Sequence, residues 1–139
     1  MPAKNIHHDT VVQALEADGW TITDDPLRVP FGGRNLFVDL AAERLTIGAE
    51  RGNERIAVEV QSFLSPSPMF DLEHALGQYS LYRVAMGEAE PDRVLFLGIS
   101  DRVYEQLFAD RFGKLIIEKM PVKVLVFDET TQRVLQWIK

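Results

Sequence analysis

The sequence predicts a mixed α/β (α+β) fold in which a central mixed sheet is flanked by helices. Three observations lead there. Helix-period stretches (residues 4–18 and 69–86) alternate with short strand-like runs (36–40, 56–60, 92–99, 122–127 and 133–138). The run Asp92–Ile99 (DRVLFLGI) reads as a continuous apolar strand, of the kind covered on both faces. Finally, Ala49–Arg55 (AERGNER) carries a Gly-Asn turn signal between two apolar runs, which folds one strand back on the next.

The chain has 139 residues, a length that predicts one domain over residues 1–139 with an ordinary core. Its 15 basic and 21 acidic residues give a net charge of −6, which argues against a broad phosphate-binding surface and leaves any DNA contact to a local basic patch or a partner. There are no cysteines, hence no disulfide framework, thiol chemistry or cysteine-based zinc site, a usage compatible with a cytoplasmic location. No apolar run approaches the roughly 20 residues that cross a bilayer, so no membrane association is expected.

In chain order, residues 4–18 read as a helix with an apolar stripe of Ile6, Val11, Val12, Ala14 and Leu15, closed by Gly19. His7 and His8 open it; with no other His or Cys at ligand spacing, a metal role is not expected of them. Glu16 on this helix is either a solvated acid or one that approaches a metal at the sheet end. Trp20–Val29 reads as a strand kinked at Asp24-Asp25-Pro26, since Pro cannot donate to a central ladder. Phe31–Asn35 (FGGRN) is a turn whose two glycines lack the spacing of a nucleotide-binding loop.

The most informative stretch is Leu36–Phe63. Asp39 lies on the apolar run Leu36–Leu40 and Glu59 on Ile56–Val60. Neighbouring strands are roughly 4.8 Å apart, so a hairpin brings the two carboxylates within reach of one ion. Alternation puts Glu59 and Gln61 on one face and Val58 and Val60 on the other. Two acids and a polar third group at a sheet end suit hard, oxygen-seeking Mg²⁺. Acids near strand ends are also commonly just solvated. What sets Glu59 apart is its apolar neighbours, among which a carboxylate has to be paired, metal-bound or on a wet face.

Ser67 and Pro68 then form a helix start, and Met69–Met86 a long helix with Leu72, Leu76, Tyr79 and Arg83 or Met86 inward, closed by Gly87. Gln78 and Tyr82, four apart, share one face of it. After the apolar strand, Ser100 or Asp101 caps a helix to about Ala109, and Arg111–Met120 is a shorter helix interrupted by Gly113. Two final strands follow, and Val134, Leu135, Trp137 and Ile138 predict either an interface, hence a homo-oligomer, or plain core.

This order, with Asp39 followed by Glu59-Val60-Gln61, resembles the αβββαβ core of the PD-(D/E)XK nuclease superfamily, extended by C-terminal helices and a β-hairpin. Gln78 and Tyr82 resemble the Gln-x-x-x-Tyr element of its RecB-like members. Nearly the whole chain is similar to the XisH family, the fdxN-element excision controlling factors, through PAKNIHHDTV, ADGWTITDDPL, FVDLAAE, IAVEVQSF, DLEHALGQY, PDRVLFL and the ending VFD…VLQWIK. The resemblance implies an accessory role in programmed DNA rearrangement, with a site-specific recombinase and an XisI-like accessory protein. The superfamily's alternative is a Mg²⁺-dependent DNA endonuclease. It implies that Asp39, Glu59 and the Val60 carbonyl hold Mg²⁺ and that the next position activates water, with Gln78, Tyr82 and Glu16 in support. Where the family usually carries lysine, this chain has Gln61. An amide is neutral and cannot act as a base near pH 7, which weakens the catalytic expectation.

Overall fold

The structure is a computed structural model that describes residues 6–45 and 53–139. Six strands form one sheet in the order β1 (Thr21–Asp24), β4 (Leu40–Leu45), β5 (Asn53–Val60), β6 (Val94–Ser100), β7 (Val124–Asp128) and β8 (Arg133–Ile138). Strands β2 (Leu27–Phe31) and β3 (Arg34–Val38) form a separate two-stranded ribbon. Pairing is antiparallel from β1 through β5, parallel across β5–β6–β7, and antiparallel again at β7–β8. The predicted mixed sheet flanked by helices is therefore present. Of the Gly-Asn signal, Gly52 lies outside the described residues, and Asn53 is the first residue of β5, paired with Leu45.

Each face of the sheet has its own helix, and strand alternation decides which residues meet it. Helix α1 (His8–Ala17) buries Val11, Ala14 and Leu15 against Leu40, Ala42, Ile56, Val58, Val60 and Phe96. On the other face, α2 (Pro68–Ala89) sets Leu72, Ala75, Leu76, Tyr79 and Met86 against Ala41, Ala57, Leu95, Leu97 and the ribbon. Ser67 Oγ accepts from Phe70 N–H at 3.2 Å and Pro68 occupies the first turn, as expected. The buried Tyr79 hydroxyl donates to the Leu95 carbonyl at 3.0 Å and accepts from Lys123 N–H at 3.1 Å, fastening α2 to β6 and to the approach to β7. Among the described residues no helix is long and apolar enough to cross a membrane.

Several local expectations are corrected. The predicted kinked strand is two strands in two sheets. The ladder with β4 ends at Asp24, and from Leu27 onward the chain pairs with β3 instead. Helix α1 begins only at His8, and Ile6 is exposed rather than part of its apolar stripe. Helix α2 runs past Gly87 to Ala89, because Gly87 has open space around it and keeps ordinary helical geometry. Met86, not Arg83, is the inward residue. Ser100 caps as predicted, accepting from Val103 N–H, but the helix it starts, α3 (Asp101–Val103), passes at once into a π-helical turn, Tyr104–Phe108.

Gly113 does not interrupt α4 (Arg111–Lys119). Asp110 Oδ1 caps the helix by accepting from Gly113 N–H at 2.8 Å, and the glycine lets α4 press against the preceding turn. A Cβ there would sit 2.1 Å from the Leu107 carbonyl oxygen and 2.4 Å from Phe108 Cα, so the backbone itself would have to move. Gly113→Ala is therefore expected to lower stability by roughly 2–3 kcal/mol, the upper range for overpacking, despite alanine's higher helix propensity. The urea-unfolding midpoint checks this; an unchanged or raised midpoint would mean the turn and α4 can separate freely.

Strand β7 is core, whereas β8 contains no buried residue and packs through partly buried side chains. Trp137 stacks edge-on to Phe96 at 4.9 Å and tilts against Trp20 at 5.6 Å. Val134 joins the same cluster, and Ile138 packs on the opposite one. Of the four residues on which the oligomer expectation rested, Leu135 is 53% exposed and the other three are half-buried.

Candidate functional site

The β4–β5 register pairs Leu40 with Val58, so the next residues outward, Asp39 and Glu59, face one another at the end of the hairpin. Asp39 occupies the single-residue gap between β3 and β4. Its N–H donates to Glu59 Oε1 at 3.1 Å, while its own Oδ2 accepts from Val60 N–H at 2.8 Å. N–H and C=O of one strand residue point to the same side. The Val60 carbonyl therefore lies along the β4 edge, the side on which Asp39 sits.

Glu59 is 6% exposed and its carboxyl is pushed up to about 9. Burial is the main cause, followed by the neighbouring Asp39 charge; the hydrogen bond from Asp39 N–H pulls weakly the other way. The bare pair thus carries a proton on Glu59 at neutral pH. Asp39, only half-buried, forms the open side.

The expected polar partners are at the same strand end. Gln61 N–H donates to the Gly98 carbonyl at 3.0 Å, extending the β5–β6 ladder, and its side-chain Nε2 donates to Gln78 Oε1 at 2.5 Å. Tyr82, one turn beyond Gln78 on α2, has its hydroxyl pushed up by burial and then by the charges of Glu59 and Asp39, so it stays a neutral donor within their field. Its ring packs with Met86 against Val29, Leu36 and Val38 of the ribbon. Gly98 pairs with Val60 in the β5–β6 register, and a Cβ there would meet Val58 Cγ1 at 2.9 Å.

Asp39, Glu59, Val60, Gln61, Gln78 and Tyr82 are thus brought together. Glu16 is not: it is exposed on α1, which covers the opposite face, beside Gln13, Gln132 and Arg133. His7 and His8 pin loops. His7 Nδ1 lies 3.0 Å from Ser62 Oγ and its Nε2 3.5 Å from Glu129, while His8 Nε2 lies 2.8 Å from Asp25 Oδ1. The polar group of His7, Ser62, Glu129 and Arg102 behind the site strand was not foreseen, since it joins residues from four distant segments with no shared motif.

Among the described residues no three His, Cys, Asp or Glu side chains converge. Mg²⁺ does not require them, because it keeps several waters and is commonly held by one or two carboxylates. Two facing carboxylates, one of them kept protonated by burial and then by its neighbour's charge, fit a hydrated divalent cation, whose charge would offset both effects on Glu59. The same set offers no soft or imidazole ligand for a transition metal.

Comparison with known proteins bears on the whole chain. The XisH protein family model matches residues 1–135. An XisH family protein from Nostoc punctiforme PCC 73102 is 41% identical, with a TM-score of 0.86, over 97% of this chain and 100% of that one. A fdxN element excision controlling factor protein from Anabaena variabilis is 43% identical, with a TM-score of 0.87, over 98% of this chain and 100% of that one. No curated protein matches. Matched over nearly its full length in both sequence and fold, the chain belongs to the XisH family.

Proposed function

We propose that the protein is an accessory factor for DNA rearrangement, controlling excision together with a recombinase and an XisI-like partner. On this reading a PD-(D/E)XK-like frame serves mainly for binding. The supporting observation is the residue at the lysine position. Gln61, a neutral residue, gives its amide to Gln78 at 2.5 Å. A site lacking that ammonium has no charge to orient water or to offset the extra negative charge of a phosphorane-like transition state. The Anabaena relative's description as an excision controlling factor points the same way.

Asp39, Glu59 and the Val60 carbonyl are the groups that would hold Mg²⁺, which when bound polarises phosphate oxygens and lowers the pKa of water. Around it, this chain supplies positioning. Asp39 N–H and Val60 N–H fix the carboxylate rotamers, Gln78 fixes Gln61, and Tyr82 offers a hydroxyl donor. A second reading, an active Mg²⁺-dependent endonuclease, is favoured by one observation: the two acids face each other instead of being separately solvated.

Incubating supercoiled plasmid with Mg²⁺ or Mn²⁺ separates the two. The accessory reading expects no nicking by the wild type, and recombinase-dependent excision that rises when the protein is added. Nicking by the wild type that disappears in Glu59→Ala would establish the endonuclease instead.

A further inference from the structure

We propose that the β2–β3 ribbon is a DNA-contacting arm that grips the phosphate backbone of a duplex beside the Asp39–Glu59 pair. This inference rests on the reading that the protein acts on DNA, and it names the surface that does so.

The ribbon's charge is opposite to that of the protein. Leu27–Val38 contains Arg28 and Arg34 and no Asp or Glu, in a chain of net charge −6. Arg44, Arg55, Arg93 and Arg102 each lie within 3.5 Å of a carboxylate. Arg83, Arg111 and Arg133 are exposed like the ribbon's two but lie scattered, the first two on helices that also carry acids and the third at the start of β8. Among the described residues Arg28 and Arg34 form no ion pair, and both are exposed. Arg28 is held by one bond, its Nε donating to Asn35 Oδ1 at 3.0 Å.

Register divides the ribbon's two faces. Leu27 pairs with Val38 and Val29 with Leu36, and these pack on Tyr82 and Met86 of α2. Arg28 pairs with Phe37 and Pro30 with Asn35, and all four are exposed on the other face. Phe37 is 52% exposed and Phe31, near the tip, 54%. Phe31 pairs with Arg34 on the same face as Leu27 and Val29 but at the exposed tip. The two cations therefore stand on opposite faces of the ribbon, each opposite an exposed ring, an arrangement suited to phosphates on the two walls of a groove. A two-stranded ribbon has the width of a major groove. Gly32 and Gly33 close the tip with φ of 61° and 79°, and with no side chains they let another backbone approach closely. The ribbon's last residue, Val38, is followed directly by Asp39, so DNA lying along the ribbon reaches the acid pair without any further element.

The test is fluorescence anisotropy of a labelled DNA duplex with the full chain, titrated in salt without divalent metal. Three proteins are compared: wild type, the Arg28→Ala/Arg34→Ala double variant and the Arg28→Lys/Arg34→Lys double variant. Losing two phosphate contacts should weaken binding roughly tenfold or more and reduce the slope of log K against log salt by about two. The lysine variant should retain the wild-type slope, and the thermal midpoints should coincide because both side chains are exposed. Equal affinity and slope for wild type and the alanine variant would overturn the arm while leaving DNA binding in place. No binding of the wild type even at low salt would overturn both the arm and the DNA reading beneath it. Weakened binding of a protein partner with duplex binding unchanged would reassign the ribbon to that partner.

Discussion

In metal-free buffer the protein is expected to lose stability steadily as pH rises from about 4.5 to about 9, and Glu59→Gln is expected to abolish most of that loss. The folded-state carboxyl of Glu59 is raised from 4.5 to about 9 by burial and by Asp39. Below 4.5 Glu59 is protonated in folded and unfolded chains alike, and its contribution is fully present. Between 4.5 and 9 the unfolded chain releases a proton that the folded chain keeps, so each pH unit removes up to about 1.4 kcal/mol. Above 9 both states are ionised and the folded state bears two facing carboxylates. Urea unfolding at pH 5, 7 and 8.5 in EDTA measures the trend, and parallel slopes for wild type and Glu59→Gln would refute it. Added Mg²⁺ should offset the loss most at the alkaline end, where least proton has to be displaced, and should do nothing for Glu59→Gln.

Gln61→Lys is expected to produce Mg²⁺-dependent nicking of supercoiled DNA at a rate roughly 10²–10³ above the wild type, the scale associated with one well-placed electrostatic contact in a transition state. The backbone at this position is held by the bond from Gln61 N–H to Gly98, which the substitution leaves intact. The side-chain bond to Gln78 is lost, but Gln78 is only half-buried and water can replace it. The new ammonium would also face the acid pair and lower the Glu59 carboxyl, favouring the ionised form that binds a cation. Conversion of supercoiled to open-circular plasmid reports the rate, with Glu59→Ala in the same background as the control. An inert Gln61→Lys that still binds Mg²⁺ would mean that the frame no longer presents a phosphodiester in line with the acids. A wild type that already cuts at the variant's rate would mean the amide suffices.

The two acids were legible in the sequence as carboxylates on neighbouring apolar runs, but their convergence was not. The β4–β5 register sets Asp39 against Glu59, and a slip of one residue would turn Glu59 to the other face. Gln78 and Tyr82 followed from helical spacing, and the Ser67 and Ser100 caps from local chemistry. The ribbon was not legible. Its alternation of apolar and polar residues is the same whether the chain pairs with β4 or folds back on itself, and nothing around Pro26 says which partner is taken. Gly113 was misread because a glycine that permits close packing and one that ends a helix look alike until the neighbouring backbone is known. For Glu16 the solvated reading is the one the structure shows; helical periodicity identifies a wet face but not the side of the sheet on which the helix will lie.

The candidate site draws all its side chains from residues 39–82, and this has a consequence for how the molecule comes together. The Asp39–Glu59 bond spans 20 residues and the Gln61–Gln78 bond 17, so each closes only a short loop, at a small entropic cost. The parallel pairings of β5–β6 and β6–β7 instead require whole helices as crossovers, and such non-local contacts form late. In a chain emerging from the ribosome, the polar cluster can begin to assemble while β7 and β8 are still being made, leaving the far side of the sheet to close over a site already in place.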